Sequence, residues 1–187
     1  MTVVFNNGFE TFEEFNFSSL VSHDDHVVAI NQIRDFISQG KYFKNSPKYQ
    51  TEVNLFGLQD PVWMKLRMSF IFSCFMYLGK EVSIKQLMAW SFMTDSSIVE
   101  DRNKLWHTHQ YGSEKTLSGV YYLHLPKDVD REHSGTEFAY NGVENPERFK
   151  SIPKDYTWII YPGKVYHRPM PPQSTEQRFV LAADLIF

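Results

Sequence analysis

The sequence is short of the residues that staple, anchor or charge a chain. One cysteine, Cys74, stands among 187 residues, so no intrachain disulfide can form. Its place in an apolar run reads as a buried thiol, and a reducing compartment fits it. Basic charge is in no surplus. Nineteen Lys and Arg face 22 Asp and Glu, for a formal net charge of −3, which excludes the cationic surface that nucleic acid requires. Long apolar runs are missing too. The longest, Met68–Leu78, is too short to span a bilayer. The opening MTVVFNNGFETFEEF has no basic stretch leading into an apolar one, as a secretory leader has. Internal repeats and low-complexity segments are absent. These absences predict a soluble, cytoplasmic protein without a membrane or nucleic-acid partner.

Aromatic residues are abundant. There are 16 Phe, 10 Tyr and 4 Trp, residues that favour strands and lined pockets. The length suits one domain spanning residues 1–187, and its texture changes near Ile84. In SHDDHVVAINQIRDFISQG, the residues Val27, Ile30, Ile33 and Ile37 recur three or four apart and predict one face of a helix. Ser22 or Asp24 can cap its start and Gly40 can end it. PVWMKLRMSFIFSCFMYLG predicts a second helix, with Pro61 in its first turn and Gly79 at its end. It is apolar nearly all round, which predicts burial against a sheet. KYQTEVNLFG reads as a strand before it.

Beyond Ile84 the texture is β. QLMAWSFMT, LWHTHQY, LSGVYYLHLP, TEFAY, YTWIIYP, KVYHRP and QRFVLAADLIF are candidate strands, separated by Gly, Pro, Asn and Asp. A sandwich or barrel in the second half, with helices from the first half outside it, is the architecture this predicts.

Seven histidines are present. His23 and His26 open a polar helix and His133 lies in a charged turn, so these three are expected at the surface. His107, His109, His124 and His167 lie in strand-like segments. His107 and His109 are two apart, and side chains two apart on a strand share a face. Alone, that spacing serves a metal corner or two ordinary strand-end histidines. Arg178 follows His167 by eleven residues, with Pro169, Pro171 and Pro172 forcing a turn between them. A hairpin there sets His167 and Arg178 on neighbouring strands. Non-heme iron(II) takes two His and commonly a carboxylate on one face, leaving positions for a cosubstrate and dioxygen. A cosubstrate with a free carboxylate needs a charged, fork-shaped partner, and Arg is that residue. Arg178 sits in an otherwise apolar strand, QRFVLAADLIF.

Together these segments resemble the 2-oxoglutarate- and Fe(II)-dependent dioxygenase superfamily, most closely its prolyl-hydroxylase-like branch. The resemblance covers Leu105–Phe187 and lies in the ordered set: His107-Thr108-His109, then SGVYYLHLP, SGTEFAY, YTWIIYPGKVYHRP and Arg178. It implies an α+β, mainly β fold: a double-stranded β-helix (jelly roll, cupin-like) over residues 85–187, with supporting N-terminal helices in residues 1–84. It implies His107, His109 and His167 as metal positions, and Arg178 and Tyr122 as cosubstrate-binding positions. Fe(II), 2-oxoglutarate and dioxygen are the implied cofactors, with ascorbate as an accompanying reductant. The implied activity is hydroxylation of an amino acid, a peptidyl residue or a small molecule. Trp106, Tyr111, Tyr166 and Arg168 flank the ligand positions and are candidates for the pocket mouth.

One position departs from the family pattern. His109 stands where that pattern has a carboxylate. The iron could be held by three histidines; Glu137, in SGTEFAY, could reach in to complete a two-His set; or metal chemistry could be weak or lost. Two other classes remain open. One is a non-catalytic jelly-roll module that binds a sugar or peptide in an aromatic pocket. The other is a three-His cupin-type dioxygenase without 2-oxoglutarate, which has no use for Arg178.

Overall fold

Both helices begin and end where their capping residues stand. The computed structural model describes residues 2–6, 11–44, 49–97, 106–112, 115–140, 147–170 and 173–187. Helix α1 spans His23–Ser38 and opens on a reciprocal capping box. The Ser22 hydroxyl accepts from the Asp25 amide at 3.2 Å, and the Asp25 carboxylate accepts from the Ser22 amide at 2.8 Å. Helix α2 spans Pro61–Leu78. Asp60 caps it and Gly79 closes it in the left-handed conformation, φ 66°.

The described strands are β1 (Thr2–Asn6), β2 (Thr11–Asn16), β3 (Tyr49–Gln50), β4 (Gln86–Thr94), β5 (Thr116–His124), β6 (Thr136–Tyr140), β7 (Glu147–Lys150), β8 (Thr157–Pro162), β9 (Tyr166–Pro169) and β10 (Arg178–Ile186). They form a seven-stranded sheet ordered β1-β2-β8-β5-β10-β4-β3 and a three-stranded sheet ordered β7-β6-β9. Every pairing is antiparallel. The long central ladder joins β10 to β4 and β5, which sets Arg178 opposite Thr94 and Asp184 opposite Ser118.

The large sheet is covered on both sides, so its strands carry two apolar stripes. Its outer face meets the helices through Leu66, Phe70 and Cys74 of α2, Trp158 of β8 and the odd-numbered residues of β10. A side chain at Gly119 is excluded there. A Cβ at that position would lie 2.6 Å from the Phe70 ring. The inner face meets the small sheet through Phe12, Val120, Tyr122, Phe138, Ile159, Tyr161 and Val180.

Several expectations change in the folded chain. Strands β1 and β2 lie in the region read as helical. Phe12 and Phe15 are three apart, as on a helix, but in a strand that spacing sends them to opposite faces, and each joins a different core. The strand expected over residues 48–57 shrinks to β3, because Leu55–Gly57 forms a 3-10 turn whose Phe56 amide is taken by the Asn54 side chain. The described residues of LWHTHQY, 106–111, form no ladder. His107 makes a single bridge to His167, while Leu105, Pro171 and Pro172 fall outside the described residues. His26 is buried rather than solvated, at 6% exposure, and Val27 faces out at 43%. The buried stripe of α1 runs through His26, Ala29 and Ile33. His26 meets the Tyr121 hydroxyl at 2.8 Å and stacks on Tyr156. Burial pulls its pKa down to about 4. Helix α2 keeps one apolar face outside: Met64, Met68, Phe72 and Met76 are 42–51% exposed. No helix among the described residues is long and apolar enough to cross a membrane.

Candidate metal centre

His107 and His109 lie in a segment without regular structure that is pinned by backbone contacts. The His107 and His167 amides exchange hydrogen bonds with each other's carbonyls, at 3.1 and 3.0 Å, and the His109 amide donates to the Gly163 carbonyl at 2.7 Å. Gly163 permits this approach, since a Cβ there would lie 2.7 Å from the His109 carbonyl oxygen. His167 arrives on β9. The three imidazoles therefore converge, with one potential ligand atom from each within 4.8 Å of the others. Nitrogens bound to one ion at about 2.1 Å sit roughly 3 Å apart, so small ring rotations would close the set.

The hydrogen bonds select the ligating nitrogen. His167 Nδ1 faces the Val165 carbonyl at 3.1 Å. A carbonyl only accepts, so Nδ1 carries the proton and the lone pair lies on Nε2. His109 Nδ1 faces the Asp184 carboxylate at 2.8 Å, with the same consequence. Imidazole donors suit iron, zinc, copper or nickel, and three neutral rings leave the full charge of the ion unneutralised. Thus a divalent transition metal fits the residues present.

A cavity opens beside the histidines between the two sheets. It encloses about 550 Å³ of space, open solvent at its mouth included. His107, His109, His167, Arg178 and Tyr122 all line it, with Trp90, Phe92, Val120, Val180 and Ala182 as apolar wall. Arg178 is 2% exposed. It donates to the carbonyls of Ser134 and Met170, at 2.7 and 2.8 Å, and to the Thr94 hydroxyl at 3.2 Å. All three acceptors are neutral, and among the described residues no carboxylate pairs with it. Burial pulls its pKa down. The Tyr122 hydroxyl meets Thr136 Oγ1 at 3.0 Å, and burial raises its pKa, so it remains a donor.

The other expected residues sit around this centre rather than in it. Glu137 lies outside the histidine cluster. Strand alternation turns its neighbours Thr136 and Phe138 inward and Glu137 to the far side, where Arg168 Nε donates to it at 2.8 Å. Arg168 is buried by that pairing and lies over the Trp106 ring, 4.2 Å from its centroid. Tyr166 is exposed at 39%. The Tyr111 hydroxyl donates to Asp184 at 2.8 Å, and burial, then the Asp184 charge, push its pKa up. Sequence reasoning passed over Asp184, Ser118, Thr94 and Trp90. Asp184 had a signal, being a charge inside the apolar strand VLAADLI, the same mark that singled out Arg178.

No family model and no curated protein matches this sequence. Solved structures match its shape. A Pseudomonas putida prolyl-4-hydroxylase aligns over 94% of this chain and 92% of its own, with a TM-score of 0.64 and 10% identity. A Trichoplax adhaerens prolyl hydroxylase, in complex with a hypoxia inducible factor peptide fragment, aligns over 94% and 83%, with a TM-score of 0.63 and 14% identity. SnoK, a non-heme alpha-ketoglutarate-dependent carbocyclase of nogalamycin biosynthesis, aligns over 94% and 79%, with a TM-score of 0.68 and 8% identity. The chain thus has the jelly-roll fold of the 2-oxoglutarate-dependent non-heme oxygenases, mainly β with two helices among the described residues. A three-histidine cluster occupies its cavity.

Proposed function

We propose that the protein is a 2-oxoglutarate- and Fe(II)-dependent oxygenase that hydroxylates an amino acid, a peptidyl residue or another small molecule. The observation that carries this reading is Arg178, a buried guanidinium without a carboxylate partner among the described residues, lining the same cavity as the three histidines. A buried cation with only neutral acceptors is costly, and an anionic occupant relieves that cost. A dicarboxylate suits a cavity lined by both a three-histidine corner and an arginine. His107, His109 and His167 would hold Fe(II), which supplies dioxygen activation coupled to oxidative decarboxylation of 2-oxoglutarate. Arg178 takes the far carboxylate, and the Tyr122 hydroxyl turns from Thr136 to donate to it. Val180 and Ala182 add apolar wall to the same cavity.

Anaerobic titration tests this. With Fe(II) bound, added 2-oxoglutarate is expected to raise a visible charge-transfer band. The band is lost in His167→Ala and weakened in Arg178→Ala. Absence of both the band and a calorimetric signal at millimolar 2-oxoglutarate overturns the proposal. Metal binding without any 2-oxoglutarate response would favour a three-histidine enzyme of another kind.

A further inference from the structure

Asp184 is fully buried, and both of its oxygens are engaged. Oδ1 accepts from His109 Nδ1 at 2.8 Å and from the Ser118 hydroxyl at 2.7 Å, while Oδ2 accepts from the Tyr111 hydroxyl at 2.8 Å. Among the described residues no lysine or arginine pairs with it. The cost of burying this carboxylate is met by one imidazole and two hydroxyl donors, and the imidazole belongs to the histidine cluster. Glu137, the other carboxylate weighed for this centre, is already held by Arg168.

We infer that Asp184 is a positioning residue that supplies, one imidazole further out, the negative charge that a carboxylate at position 109 would place on the metal. This rests on the three-histidine metal reading above. The register of β10 against β5 sets Asp184 opposite Ser118, and Tyr111 ties the segment just after His109 to the same carboxylate. Asp184 therefore fixes the plane of the His109 ring, holds the proton on Nδ1 and makes Nε2 a stronger donor to a cation. The centre keeps one anion and three nitrogen ligands, with the anion taken from β10 rather than from the His-x-His segment. Gly163 and the His107–His167 bridge hold the backbone in place, while Asp184 holds the ring.

Cobalt(II) binding to the metal-free protein, followed by visible absorption and calorimetry, tests this. Asp184→Asn is expected to weaken Co(II) affinity about 10- to 100-fold at unchanged stoichiometry. His109→Asp sets two carboxylates against each other and is expected to bind more weakly than the double variant His109→Asp/Asp184→Asn, which returns the charge to position 109. Affinity in Asp184→Asn within twofold of wild type overturns the inference, as does a double variant no better than His109→Asp. Wild-type protein that binds no Co(II) overturns the metal reading itself, and this inference with it. Nitrogen-15 NMR of the metal-free wild type needs no variant. A proton on His109 Nδ1 supports the assignment, and a ring that lacks a proton on Nδ1 overturns it.

Discussion

The two faces of β10 share a backbone and differ in purpose. Phe179, Leu181, Ala183 and Leu185 point outward into the cluster under the helices. Arg178, Val180 and Ala182 point inward to the cavity, and Asp184, on the same alternation, reaches His109. The outer stripe is apolar throughout and serves stability. The inner stripe places a cation and an anion six residues apart, about 20 Å along the strand, each buried at a cost. The anion is satisfied by three protein donors. The cation has only neutral acceptors among the described residues, so a ligand has something to add at the Arg178 end and nothing to add at the Asp184 end.

Changes to the outer face should move stability and leave ligand affinity alone, and inner-face changes should do the reverse. The largest effect is expected from Phe70→Ala. Its ring fills the space over Gly119, so its loss costs about 3–5 kcal/mol, read as a lower Tm. Affinity for Co(II) should be unchanged in the folded protein. If affinity fell in proportion, the two faces would not be separable.

Next is pH. His26 stays neutral in the folded chain down to about pH 4, whereas the unfolded chain takes up its proton near 6.5. Stability is therefore unaffected by His26 above pH 6.5 and falls as pH drops from 6.5 towards 4. The full loss is about 3 kcal/mol. Urea unfolding at several pH values checks this, and a His26→Phe variant should show a shallower slope across that window.

A somewhat smaller change is expected on the inner face. Arg178→Leu should weaken 2-oxoglutarate binding about 30- to 300-fold, or about 2–3 kcal/mol, in anaerobic calorimetry. Its Tm should move far less than that of Phe70→Ala. The smallest expected effect is Tyr122→Phe, which removes one hydroxyl donor and about 0.5–1.5 kcal/mol of cosubstrate affinity, with Co(II) binding untouched.

Much of the site was legible because its marks are local. A charge in an apolar strand singled out Arg178, and the short spacing singled out His107 and His109, although an irregular segment pinned by backbone contacts, not a strand, brings them together. The strands β4, β5, β6, β8, β9 and β10 showed themselves by apolar runs between turn residues. What escaped was whatever depended on a partner distant in sequence. Strand β2 carries helix-like spacing and becomes a strand because β8 is there to pair with it. His26 looked solvated because nothing near it in sequence announces Tyr121 and Tyr156. Glu137 was a fair candidate for the metal until the pairing of β6 with β9 set it opposite Arg168.

The sequence by itself determined which residues are candidates for the site: three histidines, one arginine in an apolar strand, and no carboxylate two residues after the first histidine. Only the tertiary structure decided that a buried carboxylate stands against His109. Register between distant strands is set by the burial of whole faces, and it is that register, not the spacing of any motif, that brings Asp184 to His109.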